Sequence, residues 1–139
     1  MAFSVERIDH DADIGIAVTA DSAEELFRAS AMGMLEILLD RSEVESRTVR
    51  IVSASSTAMD LLLVDFLSEI LDLVLFDRFA VQDVQIGELS DKFIVAEIAG
   101  QRELPEGAII REIKGVTFHQ LALERTESGE FTARVIFDI

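Results

Sequence analysis

The chain has 139 residues, no cysteine, one proline and a formal net charge of -15 from 27 acidic against 12 basic side chains, a size and apolar content that suit one compact domain, residues 1–139. So strong a negative field repels phosphate backbones and anionic lipid, and it argues against direct nucleic-acid or membrane binding. The lack of cysteine excludes disulfides, thiolate metal ligands and a cysteine nucleophile.

Phe3 to Ile8 and Ile14 to Thr19 alternate apolar and polar positions, the period of half-buried strands, and they flank the acidic segment Asp9 to Asp13. The first residues lack the basic start and long apolar stretch of a signal peptide, which leads us to expect a cytoplasmic protein. Asp21 opens D-S-A-E, a variant of the capping box in which Asp21 accepts from free amides and Glu24 reaches back. A helix should follow, with Leu26, Phe27, Ser30, Ala31, Met34 and Leu38 on one face.

Val44 to Val52 alternates again, whereas Thr57 to Phe76 is apolar around most of its circumference and keeps Asp65, Glu69 and Asp72 as a narrow polar stripe. That pattern predicts a second, buried helix, and its acids argue against a membrane span. Strand patterns return at Phe79 to Ile86, Phe93 to Ile98, Ile109 to Ile113, Phe118 to Leu123 and Phe131 to Phe137, separated by Gly87, Gly100, Gly107 and Gly129. Two helices inserted among many short strands predict an α+β fold, a mainly antiparallel curved sheet or sandwich with the helices packed on it.

Asp9, His10, Asp11 and Asp13 place three carboxylates and an imidazole within five residues. Such repulsion is relieved by protons or a cation, and oxygen ligands without sulfur favour calcium or magnesium, with manganese possible. The plainer alternative is an acidic turn in which aspartates accept from backbone amides. A second source of oxygens is Asp138 with the Ile139 carboxylate, directly after an alternating strand. If that strand pairs beside the first, both could face the Asp9 to Asp13 connector; the plainer alternative is an ordered strand with a solvated end.

The segment Asp9-His10-Asp11-Ala12-Asp13-Ile14-Gly15 resembles the archease signature D-H-T-A-D-[VI]-G. D-S-A-E-E-L-F is similar to that family's D-T-L-E-E-L-F, Ile113 to His119 to its I-K-A-V-T-Y-H, and Val135 to Ile139 to its terminal V-x-x-D-I. These four motifs occur in order along essentially the whole chain. Two positions depart from the pattern: Asp11 stands for Thr, adding a carboxylate, and Phe118 for Tyr, removing a hydroxyl.

The resemblance implies a non-enzymatic role in tRNA splicing and RNA repair. Archeases bind a divalent cation, calcium in the structures by which the family is known, and promote guanylylation and multiple turnover of the GTP-dependent RNA-splicing ligase. Its metal-binding acids carry over onto Asp9 or Asp13, Asp138 and the carboxylate of Ile139, and Lys114 matches a position needed for ligase activation; His10 also matches the signature. Two alternatives stay open: a chaperone or specificity modulator of a tRNA methyltransferase, and a metal-dependent hydrolase with Lys114 or His10 stabilising developing charge. Against the hydrolase, the sequence carries no P-loop, nucleophile elbow or histidine pair at zinc spacing.

Overall fold

A computed structural model describes residues 3–9 and 13–139. The order is β1 (Phe3–Asp9), β2 (Asp13–Ala20), α1 (Ala23–Leu38), β3 (Thr48–Ser55), α2 (Met59–Leu75), β4 (Ala80–Leu89), β5 (Phe93–Gln101), β6 (Gly115–Val116), β7 (Ala122–Arg125) and β8 (Phe131–Asp138). One antiparallel sheet runs β1-β2-β8-β6, with β7 also on β8; the other runs β3-β5-β4. The architecture is α+β, as the alternation and the two helical periods predict.

Period-two alternation builds both sheets. Ile14, Ile16 and Val18 of β2 lie opposite Phe137, Val135 and Ala133 of β8, and all six are buried on one face. Ile94, Ala96 and Ile98 of β5 supply the matching face of the second sheet. Both helices pack into this shared core, where the rings of Phe27 and Phe66 meet with centroids 6.0 Å apart. Among the described residues no helix is long and apolar enough to cross a membrane.

Several boundaries differ from the sequence expectations. The helix cap is Ser22, one residue later than the D-S-A-E reading, and its hydroxyl accepts from the Glu25 amide at 3.1 Å. Ile109 to Ile113 forms no strand: Ile109 makes a single bridge to Leu39, and the Ile110 amide donates to the Leu38 carbonyl. Ile109 and Ile113 turn toward the core while Ile110 stays exposed, a spacing that mimics alternation over a few residues. Gly107 and Gly129 sit at positive φ in turns, but Gly87 and Gly100 lie inside β4 and β5. At Gly100 a side chain would run into the Ala80 carbonyl oxygen, so closeness of neighbouring backbone, rather than a turn, requires that glycine.

Candidate functional site

The pairing of β2 with β8 sets Asp13 directly opposite Asp138, and β6 sets Gly115 opposite Asp138 from the other side. Residues directly opposite in an antiparallel pair share a sheet face, with β-carbons roughly 5 Å apart. Asp13 and Asp138 therefore meet on the outward face at one end of the sheet. The final strand lies beside the second strand, not the first: β1 occupies the far side of β2. The expected meeting of the two acidic segments survives this correction because β2 begins at Asp13.

Gly15 adjusts the fit. It lies opposite Ile136, and a β-carbon on it would approach the Val135 carbonyl oxygen and Ile136 Cδ1 at 2.6 Å each. Ile136 thereby lies across the β2 backbone and is buried on the outward face beside the two acids. Thr117 fixes the next chain segment: its amide and Oγ1 both donate to the Ile136 carbonyl, at 3.0 and 2.8 Å. The Lys114 amide donates to the Asp138 carbonyl at 2.7 Å, which places Lys114, itself exposed, next to the chain end. Ile139 packs its side chain against the core. A backbone bond and an apolar anchor thus hold residues 138 and 139.

Asp13 Oδ1 is buried and receives no hydrogen bond from the described residues. A buried carboxylate oxygen without a donor is costly, and a second carboxylate opposite it raises the cost. The donor set of Asp13, Asp138 and nearby backbone oxygens has the hard character that suits calcium or magnesium. Among the described residues, however, no three Asp, Glu, His or Cys side chains gather closely enough to hold a metal. Further ligands would have to be the Ile139 carboxylate, main-chain oxygens, water or the 10–12 segment.

Asp9 falls on the other side of the sheet. Asp9 pairs with Ile14 in the β1–β2 ladder, so alternation turns its side chain to the face opposite that of Asp13, where Arg7 Nε lies 3.3 Å from Asp9 Oδ1. The register brings Asp13 and Asp138 together and leaves Asp9 out. His10 and Asp11 lie outside the described residues. Sequence reasoning missed Gly15 and Thr117 as positioning residues; a glycine inside an otherwise β-branched strand was the available signal for the first.

Residues 6–139 match the Archease protein family (MTH1598/TM1083). Protein archease of Methanosarcina mazei is 36% identical over 96% of this chain and 94% of its own, and that of Pyrococcus abyssi is 30% identical over 96% and 97%. The solution structure of protein 1598 from Methanobacterium thermoautotrophicum superposes with a TM-score of 0.78 at 33% identity, covering 97% of this chain and 98% of that one. A crystal structure from Thermotoga maritima, described as an archease and possible chaperone, shares the fold with a TM-score of 0.62 at 21% identity and 96% coverage of both chains. With a family match from residue 6 to residue 139 and relatives above 30% identity over nearly its whole length, the chain belongs to the archease family.

Proposed function

We propose that this archease assists a GTP-dependent RNA-splicing ligase without making or breaking a bond itself, promoting guanylylation and repeated turnover in tRNA splicing and RNA repair. The reading includes a divalent cation, calcium being the expected ion, bound by Asp13, Asp138 and the carboxylate of Ile139. The observation that carries it is the buried, unpartnered Asp13 Oδ1 set opposite Asp138. A bound cation supplies the positive charge that lets these oxygens share one small volume.

The protein's own residues do the rest. Thr117 holds the segment after β6 against β8. That geometry leaves Lys114, Phe118 and His119 exposed on one stretch beside the acids, a surface on which an ammonium, a ring and an imidazole can meet a partner. His10 is included in the proposed contact because it matches the family signature. The acidic surface as a whole would meet a basic RNA-handling surface, a complementarity that speeds encounter and weakens with salt.

The test is guanylylation of a matching ligase with substoichiometric amounts of this protein. The rate should rise with wild type, and Asp13→Ala, Asp138→Ala or Lys114→Ala should each remove most of the gain; a ligase indifferent to wild type sinks the reading. Calcium calorimetry tests the site separately: Asp138→Ala should weaken binding by about tenfold or more, or about 1.4 kcal/mol. A C-terminal extension beyond Ile139 should cost about as much as losing one carboxylate, whereas an N-terminal extension should be tolerated. Equal affinities for the two extended proteins would remove the Ile139 carboxylate from the set.

The description of the Thermotoga maritima structure as a possible chaperone favours a second reading, in which the client is another RNA-modifying enzyme such as a tRNA methyltransferase. Purification of this protein with its native partners, followed by identification of what co-purifies, separates the two.

A further inference from the structure

The two edges of the β3-β5-β4 sheet are treated differently. On the β4 side, Arg28 Nε donates to the Val84 carbonyl at 3.0 Å and Arg41 Nη1 to the Gln82 carbonyl at 2.7 Å. Cationic side chains thus occupy the outward carbonyls, one of the ways proteins close a sheet edge. On the β3 side, the ladder opposes Thr48 to Gly100, Arg50 to Ile98 and Val52 to Ala96, and the Ser56 amide continues it in phase by donating to the Lys92 carbonyl at 2.8 Å. Hydrogen bonding alternates along an antiparallel strand, so the even-numbered residues bond β5 while the N–H and C=O groups of Val49, Ile51 and Ser53 point away from it. Among the described residues nothing bonds to them.

Side chains around this open edge share a character. Val49 and Ile51 are 52% and 62% exposed, and Phe76, just past α2, is 77% exposed. A groove of about 290 Å³ runs between β3 and α2, lined by Ile51, Ser53, Glu69, Asp72 and Phe76. Arg50 on its rim is already engaged, 3.2 Å from Asp77 and stacked over the Phe79 ring. Glu69 and Asp72 have no basic partner among the described residues.

We propose that β3 is a docking edge for an extended, basic segment of a partner protein, which adds as a fourth strand to the β3-β5-β4 sheet. Main-chain groups of Val49, Ile51 and Ser53 provide the ladder, Ile51 and Phe76 receive alternate apolar side chains, and Glu69 and Asp72 receive lysine or arginine. A second copy of this chain fits less well. An isologous β3–β3 contact would bring two sets of Glu69 and Asp72 together, each on a body of charge -15. The inference goes beyond the cation site, which lies on the other sheet, and either can fail without the other.

The probe is a fluorescein-labelled peptide of about eight residues alternating valine with lysine and arginine, compared with one in which glutamate replaces the bases. The basic peptide should bind, more tightly at low salt, and Ile51→Pro should weaken it by about tenfold or more, because that substitution removes an edge donor that takes no part in the internal ladder. Asp72→Lys should weaken the same peptide, and peptide N-methylated at alternate residues should fail to bind wild type, a control that holds even if Ile51→Pro does not fold. Hydrogen exchange should show the Ile51 and Ser53 amides fast in the free protein and slowed by the peptide. The proposal is overturned if the basic peptide does not bind, binds equally after these changes, or binds no better than the acidic one. It is also overturned if sedimentation finds a dimer that Ile51→Pro splits, which would give the edge to a second copy.

Discussion

Asp13 and Gly15 lie two residues apart on the outward face of β2 and carry opposite demands. Asp13 keeps a buried oxygen with no donor among the described residues, a cost to the folded chain that a cation would relieve. Asp13→Asn should therefore raise the melting temperature in chelator and abolish the further rise that calcium gives wild type by mass action. A variant less stable than wild type in chelator would show that the carboxylate is satisfied in another way. Gly15 is the reverse case, a position with no room to spare. The Val135 carbonyl oxygen that a β-carbon would meet at 2.6 Å is main chain and can recede only if β2 and β8 part. Gly15→Ala should destabilise by about 1–3 kcal/mol, read from the urea midpoint. An unchanged midpoint would mean that the strands separate freely here.

At the level of elements, α1 is tied to the second sheet by Arg28, which binds the Val84 carbonyl and, 2.8 Å away, Asp83. Burial pushes the Asp83 carboxyl up, but the Val84 amide, Gln85 and Arg28 outweigh it, and the net effect is a carboxyl held below its ordinary 3.8. A group lowered in the folded state stabilises the fold above its unfolded value and loses that contribution as the pH falls through the folded one. Asp83→Asn should accordingly lower the urea midpoint at neutral pH, and the gap to wild type should narrow from pH 3.8 downward and close as the pH falls through the lower folded value. A gap of equal size at both pH values would assign the loss to packing instead. The helices and the long strands were legible from periodicity because burial on one face writes a regular pattern into Leu26 to Leu38 or Phe131 to Phe137. Ile109 to Ile113 misled because Ile109 and Ile113 face the core with a single bridge to Leu39 and no sheet, and Ser22 displaced Asp21 as the cap because either residue type serves and only backbone geometry chooses.

For the whole molecule, a charge of -15 on 139 residues means self-repulsion throughout the fold. Raising sodium chloride from about 50 mM to about 500 mM should raise the melting temperature of the chelated protein while slowing its association with a basic partner. A melting temperature indifferent to salt would show that local pairs already balance the field. The candidate site was partly legible at this scale: the D-H-D-A-D and terminal D-I motifs named Asp13 and Asp138. Their juxtaposition, and the exclusion of Asp9 to the other face, depend on a register that no local window of sequence encodes.

The position of β8 has a consequence for biosynthesis. This strand lies between β2 on one side and β6 and β7 on the other, yet it is made of residues 131–138. Until it emerges from the ribosome, Ile14, Ile16 and Val18 wait without the neighbours that bury them, and β2 presents a bare flank to the crowded surroundings of the translating chain. This sheet therefore closes only once Phe131 to Asp138 has been made, the last of its strands in chain order.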